Sequence, residues 1–358
     1  MRLTILLLLF VQQAFSAYSY YISHTVVSSK VVSGAHTDFP VLIDTTSNDL
    51  RTTGNGGYVT NSSGYDIQPA SDAACTSFLS FERESYSAST GQVRMHVKVS
   101  SLSTSTVVYL CFADSGVTTD QAAPTSVWNS GYKAVYHFGD GSTLSLADST
   151  SNANTLTNNN TVTADASGKI YGAAAQASAS SQYLSNSSAV LTTTPMTFTA
   201  WAKSATTSGV QTVFAIEKSG TSGWYRLILY QSKVQNQLQV ESGGGNALAS
   251  TSANYSTSNW FHTATVFGSA TSRTVYLDGG SSGTSTTSLT QTGLNLSSTR
   301  TLGASGEYFN GSIDELRISN VARSAGWIET EYNAGTPSSF WTVGGTTSLN
   351  ARRRLLIQ

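Results

Sequence analysis

The stretch Tyr308-Phe309-Asn310-Gly311-Ser312-Ile313-Asp314-Glu315-Leu316-Arg317-Ile318-Ser319-Asn320 decides the fold. Asn310-Gly311 is a turn pair, and the residues after it read as a strand whose successive side chains point to opposite faces. Strict alternation puts Asp314, Leu316 and Ile318 on one face and Ile313, Glu315 and Arg317 on the other. A carboxylate on the apolar face is costly unless a cation or several backbone N–H groups compensate it. Asp314 is therefore a candidate metal ligand, and capture by loop amides is the competing account.

Phe309-x-Gly311-x-Ile313-Asp314-Glu315-Leu316-Arg317-Ile318, followed by Asn320-x-Ala322-Arg323-Ser324, resembles the closing signature of the concanavalin A-like, laminin-G-like jelly-roll superfamily. The resemblance implies a sandwich of two antiparallel sheets, a carbohydrate- or protein-binding role on a secreted or surface protein, and a structural calcium ion. Asp148-Ser149-Thr150-Ser151-Asn152-Ala153-Asn154 is similar to the Asp-x-Ser/Thr-x-Asn loop after the first strand of such modules, with Ser151 where many relatives place glycine. Asp148, Asn154 and Asp314, with backbone carbonyls, are the expected calcium ligands. Met196–Lys203, Val213–Ile216, Trp224–Tyr230, Trp260–Val266 and Val275–Gly280 match the family's successive strands, so the resemblance covers nearly all of residues 131–345. Trp224, Arg226 and Tyr230 share a strand face that is not uniformly apolar, which makes them the candidates for stacking on a sugar ring.

Upstream, residues 18–125 read as strands broken by Gly, Ser and Asn turns. Arg94 to Val99 alternates, placing Met95, Val97 and Val99 inward and Arg94, His96 and Lys98 toward solvent. Thr37–Ile43, Gly64–Ile67, Phe81–Tyr86 and Val107–Leu110 resemble an uncharacterised β-domain family that precedes laminin-G-like domains in bacterial surface proteins. Glu82 and Glu84 lie two apart on one strand face and, with Asp66, are the acidic cluster that could serve as paired catalytic carboxylates. A solvated strand face is the expected reading, because nothing nearby in sequence supplies the apolar pocket that would raise one pKa above the other.

The 358 residues are enough for two domains, and 11% charged residues with a formal net charge of -1 leave no basic surplus for nucleic acid or anionic lipid. Arg2, the apolar run from Leu3 to Val11 and Ala14-Phe15-Ser16 have the form of a secretory signal over residues 1–17. That run is too short to span a bilayer, and no later segment is long and apolar enough. An oxidising compartment would let Cys75 and Cys111 pair; two buried thiols are the alternative. Asn-x-Ser/Thr sequons begin at Asn61, Asn159, Asn186, Asn254, Asn295 and Asn310; they would be glycan sites in a eukaryotic secretory pathway and inert by-products of Ser/Thr-rich composition in a bacterium.

The expectation is an all-β chain: two tandem antiparallel β-sandwich domains, the second a concanavalin A-like jelly roll. They occupy residues 18–125 and 131–345, with a short linker at 126–130, close docking through Val127, Trp128 and Tyr132, and a disordered tail over 346–358. The Glu-x-Asp-x-x-Glu run of the fold's glucanases, His-Glu-x-x-His and Gly-x-Ser-x-Gly are all absent. The expected protein is secreted or surface-exposed and non-enzymatic, with a glycan or a cell-surface protein as partner. A hydrolase using Glu82 and Glu84, and a structural component of a cell-surface layer or filament, are the alternatives.

Overall fold

Short runs of β-branched and aromatic residues between polar turns form antiparallel strands throughout the computed structural model, which describes residues 17–128, 131–257, 259–301 and 307–349. In chain order the first six are β1 (Tyr20–Val26), β2 (His36–Thr46), β3 (Ile67–Ala70), β4 (Phe81–Ser87), β5 (Gln92–Leu102) and β6 (Val107–Phe112). A one-turn helix, α1 (Pro124–Val127), leads to β7 (Tyr132–Tyr136), β8 (Thr157–Asn159), β9 (Thr163–Asp165), β10 (Ala173–Gln176) and β11 (Tyr183–Asn186). The long strands follow: β12 (Met196–Ser204), β13 (Val210–Lys218), β14 (Gly223–Tyr230), β15 (Lys233–Val240), β16 (Gly245–Ser250), β17 (Phe261–Ser269) and β18 (Ser272–Leu277). Then come β19 (Ser281–Ser285), β20 (Leu296–Ser298), β21 (Gly311–Ser319), the helix α2 (Ala325–Ala334) and β22 (Trp341–Ser348). Among the described residues no helix is long and apolar enough to cross a membrane.

The jelly roll packs the sheet β19-β18-β17-β12-β21-β10-β9, with β7 beside β21, against the sheet β16-β15-β14-β13-β20-β11-β8. Phe198, Phe214, Tyr225, Phe267, Phe309 and Leu316 fill the space between them. The first sandwich pairs β2-β5-β4 with β22-β1-β6-β3, and Cys75–Cys111 forms the expected bridge, with Cα atoms 6.0 Å apart.

The origin of β22 corrects the expected domain boundary. The strand begun by Trp341 lies within the 131–345 expected for the jelly roll, yet it pairs antiparallel with β1 of the first sandwich, from Val26↔Trp341 to Tyr20↔Ser348. Without it β1 would present an unpaired edge, and the Trp341 indole, which donates to the Leu42 carbonyl at 2.8 Å, would lose its pocket. Residues 346–348 of the expected tail thus lie in a strand, and Leu349 is buried beside the disulfide. Residues 1–16 and 350–358 lie outside the described residues.

The two domains share one apolar seam. Ala264, Val266 and Tyr276 on the outer side of the jelly roll, with Trp327 and Ile328 of α2, join the cluster built around Phe39, Val41, Met95 and Val97. His36 Nε2 lies 2.9 Å from Thr330 Oγ1, and Asn333 donates to the Lys30 carbonyl at 3.1 Å. At the joint, Val127, Trp128 and Tyr132 pack with Val135, the close docking expected of them.

Strict alternation along β21 is overturned. Its register with β12 shifts between Thr199 and Trp201, and Glu315 sits in the left-handed region at φ 52°. One extra residue in a strand reverses the facing beyond it, and here Ile313, Leu316 and Ile318 all enter the core. Asp314 instead lies opposite Trp201 and Arg317 opposite Thr199, which places both side chains outward, under the first domain.

Arg317 is buried there between Glu315 Oε2, at 2.6 Å, and Glu331 Oε1, at 3.3 Å. Burial pushes the Glu331 carboxyl up, but the His262 ring, the Arg317 guanidinium and the Thr199 hydroxyl outweigh it and hold it at about 2. A carboxyl held below its unfolded value stabilises the fold above that value, near 4.5, and the contribution is lost as pH falls through 4.5 toward 2. Glu331→Gln is expected to cost on the order of 3 kcal/mol at pH 7, and the gap between variant and wild type should shrink to roughly half by pH 3 and close only below about pH 2. Urea unfolding at both pH values checks this; a gap of equal size at each would mean that the charge is not its source. Trp341→Ala should cost roughly 3 to 5 kcal/mol by the same measurement, and a loss under about 1 kcal/mol would show β22 to be dispensable to the first core.

Candidate metal centre

Four side chains that could ligate a metal converge where the two domains meet. Glu84 comes from β4, His96 from β5, His137 from the residue after β7, and Glu315 from β21. Each offers one ligand atom, and the four atoms all lie within 4.8 Å of one another. Both carboxylates sit at β-bulges: the β4–β5 register shifts between Arg83 and Ser85, around Glu84, much as β21 shifts around Glu315.

The geometry is close. His96 Nε2 lies 2.6 Å from Glu84 Oε1 and 3.5 Å from Glu315 Oε2. His137 Nδ1 lies 2.5 Å from Glu315 Oε1 and 3.8 Å from Glu84 Oε1. The two imidazoles stack, with centroids 4.9 Å apart, and the Trp128 ring closes over them at 5.1 Å from His96 and 5.5 Å from His137. Glu82 stands behind His137: its Oε2 takes Nε2 at 3.2 Å and the Trp128 indole N–H, and its Oε1 accepts from the Ser149 hydroxyl at 2.7 Å.

Charge accounts for the titration. Burial pushes Glu315 up, but His137, His96 and Arg317 hold it well below the usual carboxylate range. Burial works against a charged ring at His137 and His96, yet the carboxylates win at both: Glu315, Glu82 and Glu84 raise the first well above its ordinary value, and Glu315 and Glu84 raise the second. Glu82, despite burial, is drawn to about 2 by the His137 charge and by its three donors.

These positions correct the sequence reading of this face. His96, expected at the solvent, has no exposed surface, because the outward face of β5 is the one the jelly roll covers. Glu82 and Glu84, expected as a solvated pair, are largely buried for the same reason. Asp66 lies apart from them, its oxygens taken by Thr60 and Asn61.

The residues expected to hold calcium do not fit that ion. Asp148 Oδ1 accepts from the Val135 and Thr150 backbone N–H groups, and its Oδ2 accepts from the Thr150 hydroxyl and the Asn154 N–H, which uses all four lone-pair directions. The Asn154 side chain donates to the Lys133 carbonyl. Asp314 accepts from the Ile170 and Glu315 N–H groups, shares no partner with Asp148, and is raised well above its ordinary value by burial. The loop-amide account of Asp314 therefore describes its surroundings.

Trp224 and Arg226 are 3% and 4% exposed, and the guanidinium lies over the indole at 4.6 Å with Gln237 and Glu307 as further partners. Neither offers a free face. Tyr230 is half-buried at the far end of β14, and six residues of strand separate it from Trp224 by roughly 20 Å, too far to share one sugar ring.

Beside the cluster a cleft of about 400 Å³ opens between the domains, lined by Glu82, Glu84, His137, Asp140, Ser149 and Tyr171 among others. Arg94 of β5 lies over the Tyr171 ring at 4.9 Å, so both domains contribute to its wall.

Residues 178–329 match the family model of the concanavalin A-like lectin/glucanases superfamily. No curated protein matches the chain. Similar solved structures include domain 4 of AbnA, a GH43 extracellular arabinanase from Geobacillus stearothermophilus, in complex with arabinotriose (22% identity, TM-score 0.43, 56% of this chain and 98% of that one). Others are the Ruminococcus gnavus IT-sialidase CBM40 bound to alpha2,3 sialyllactose (15%, TM-score 0.36, 39% and 84%) and the botulinum neurotoxin serotype G binding domain (12%, TM-score 0.42, 56% and 50%). The two facing antiparallel sheets and the family match over residues 178–329 agree: the second domain is a concanavalin A-like jelly roll.

Proposed function

We propose that the protein is an exported, non-catalytic binding protein that takes a carbohydrate in the cleft between its two domains and so attaches to glycan-bearing material. The cleft carries this reading. It combines the aromatic ring of Tyr171 with carboxylates at Glu82 and Asp140, hydroxyls at Thr143, Ser145 and Ser149, and the His137 imidazole. A ring for the C–H face of a sugar, surrounded by donors and acceptors for its hydroxyls, is what sugar recognition requires. The match to a superfamily of lectins and glucanases supports the ligand class. The secretory pattern over residues 1–17 and the Cys75–Cys111 bridge support export, since such bridges persist in oxidising compartments.

One observation favours a second reading: Glu82 and Glu84 both line the cleft, as a hydrolytic pair would. Hydrolysis by two carboxyls needs one to remain protonated near neutral pH. Glu82, held at about 2, cannot be that acid, and Glu84 Oε1 lies 2.6 Å from His96 Nε2. Binding without cleavage is the reading that these charges support.

A glycan array probed with wild type and with Tyr171→Ala tests it. Wild type should retain one class of glycan, and the variant should bind it roughly tenfold more weakly, a loss of about 1.4 kcal/mol, at nearly unchanged melting temperature. An array on which wild type binds nothing, or on which the variant equals it, would remove the cleft as the site. Release of reducing ends from the retained glycan would favour the hydrolase instead.

A further inference from the structure

We propose that Glu84, His96, His137 and Glu315 together bind one transition-metal ion of the zinc class, and that this ion clamps the first domain to the second. Glu84 and His96 belong to the first domain, while His137 and Glu315 belong to the jelly roll. A tetrahedral ion with bonds of about 2.0 to 2.2 Å sets its ligands roughly 3.3 Å apart. The approaches among the side chains, which involve both Glu315 oxygens, are 2.5, 2.6, 3.5 and 3.8 Å and bracket that edge, and one ligand atom from each residue lies within 4.8 Å of the other three. Side-chain shifts on the order of 1 Å would centre an ion among them.

The strongest sign is a contact that is close without being a hydrogen bond. Glu84 Oε1 and His96 Nε2 lie 2.6 Å apart, yet both are buried and neither makes a well-aligned hydrogen bond among the described residues. The spacing suits a hydrogen bond and the direction does not, so the two atoms face a common point rather than each other. Two ligand atoms left in this way inside a protein carry a desolvation cost that a shared cation removes.

The surroundings are those of a metal site. Glu82 accepts from His137 Nε2 at 3.2 Å, which leaves Nδ1 as the ligating nitrogen, and Arg317 Nη2 donates to Glu315 Oε2 at 2.6 Å. Outer partners of this kind fix tautomer and aim. Two imidazole nitrogens with two carboxylates suit zinc and its first-row neighbours, whereas calcium calls for six to eight oxygens. Four protein ligands fill a tetrahedral shell, which assigns the ion a structural role. Because its ligands come from both domains, removing it should loosen the seam whatever the cleft binds.

The test uses the full chain, stripped with chelator and then supplied with zinc, cobalt or calcium. One equivalent of zinc should be retained after dialysis, the melting temperature should rise by several degrees with zinc and not with calcium, and cobalt should give the intense visible absorption of a tetrahedral site. Glu84→Gln and His137→Gln should each abolish retention and the rise. The cobalt spectrum of wild type stands even if a variant fails to fold. No retained zinc, with identical melting in chelator and zinc, would overturn the site by showing that protons alone satisfy the cluster. Equal retention in both variants would overturn it as well, by placing the ion elsewhere.

Discussion

Burial of like charges between two sandwiches is the constraint on which the rest of the structure depends. Among the described residues, Glu82, Glu84, Glu315 and Glu331 meet at the seam, and Arg317 is the permanent cation paired with two of them. An excess of three negative charges at a largely dehydrated interface would drive the domains apart, since Coulomb repulsion at short range and low dielectric costs several kcal/mol per pair. Two protons on His96 and His137 lower that excess by two charges, and so does one divalent cation with both rings neutral. The domain contact therefore depends on what occupies the space among the two rings and two of the carboxylates. Asp314 escapes this accounting because burial favours its neutral form.

Bulges bring the carboxylates there. In a regular strand Glu315 and Asp314 would point to opposite faces, and one of them would enter the jelly-roll core. The left-handed turn at Glu315 costs of order 1 to 3 kcal/mol, and it sends Asp314 and Arg317 outward while keeping Ile313, Leu316 and Ile318 inside. The shift around Glu84 does the same work on the opposite wall. Strain of this kind persists only when its surroundings hold it, and here the surroundings are the charges themselves.

Much of the fold was legible because alternation and turn chemistry are local. The strands around Met95, Phe198 and Val275 follow their patterns, and the closing signature at Phe309 to Ser324 identified the jelly roll. What failed were statements about the far side of a strand. His96 was correctly placed opposite Met95 and Val97, but a strand pattern separates core from not-core and cannot tell solvent from a second domain. Glu-x-Glu at Glu82 and Glu84, facing His96 across one hairpin, was the available signal, with Glu82↔His96 in direct register. His137 and Glu315 lie in another domain, and no spacing along the chain announces that meeting. The exchange of β22 was hidden for the same reason: Trp341–Val343 reads as a strand for either sandwich, and only the free edge of β1 selects which.

That exchange changes what the seam can do. A chain that crossed once between domains, at the short joint after Ala123, would leave the cleft walls free to swing about it. This chain crosses twice, and α2 lies inside the seam between the crossings, its Trp327 and Ile328 in the first domain's cluster. Two crossings flanking an apolar contact restrict rotation, and the cluster at Glu84, His96, His137 and Glu315 adds a polar anchor at the edge where Glu84 and His137 also form the cleft wall. A cleft held on both sides has little conformational freedom to lose, and preorganisation of that kind lowers the cost of filling it.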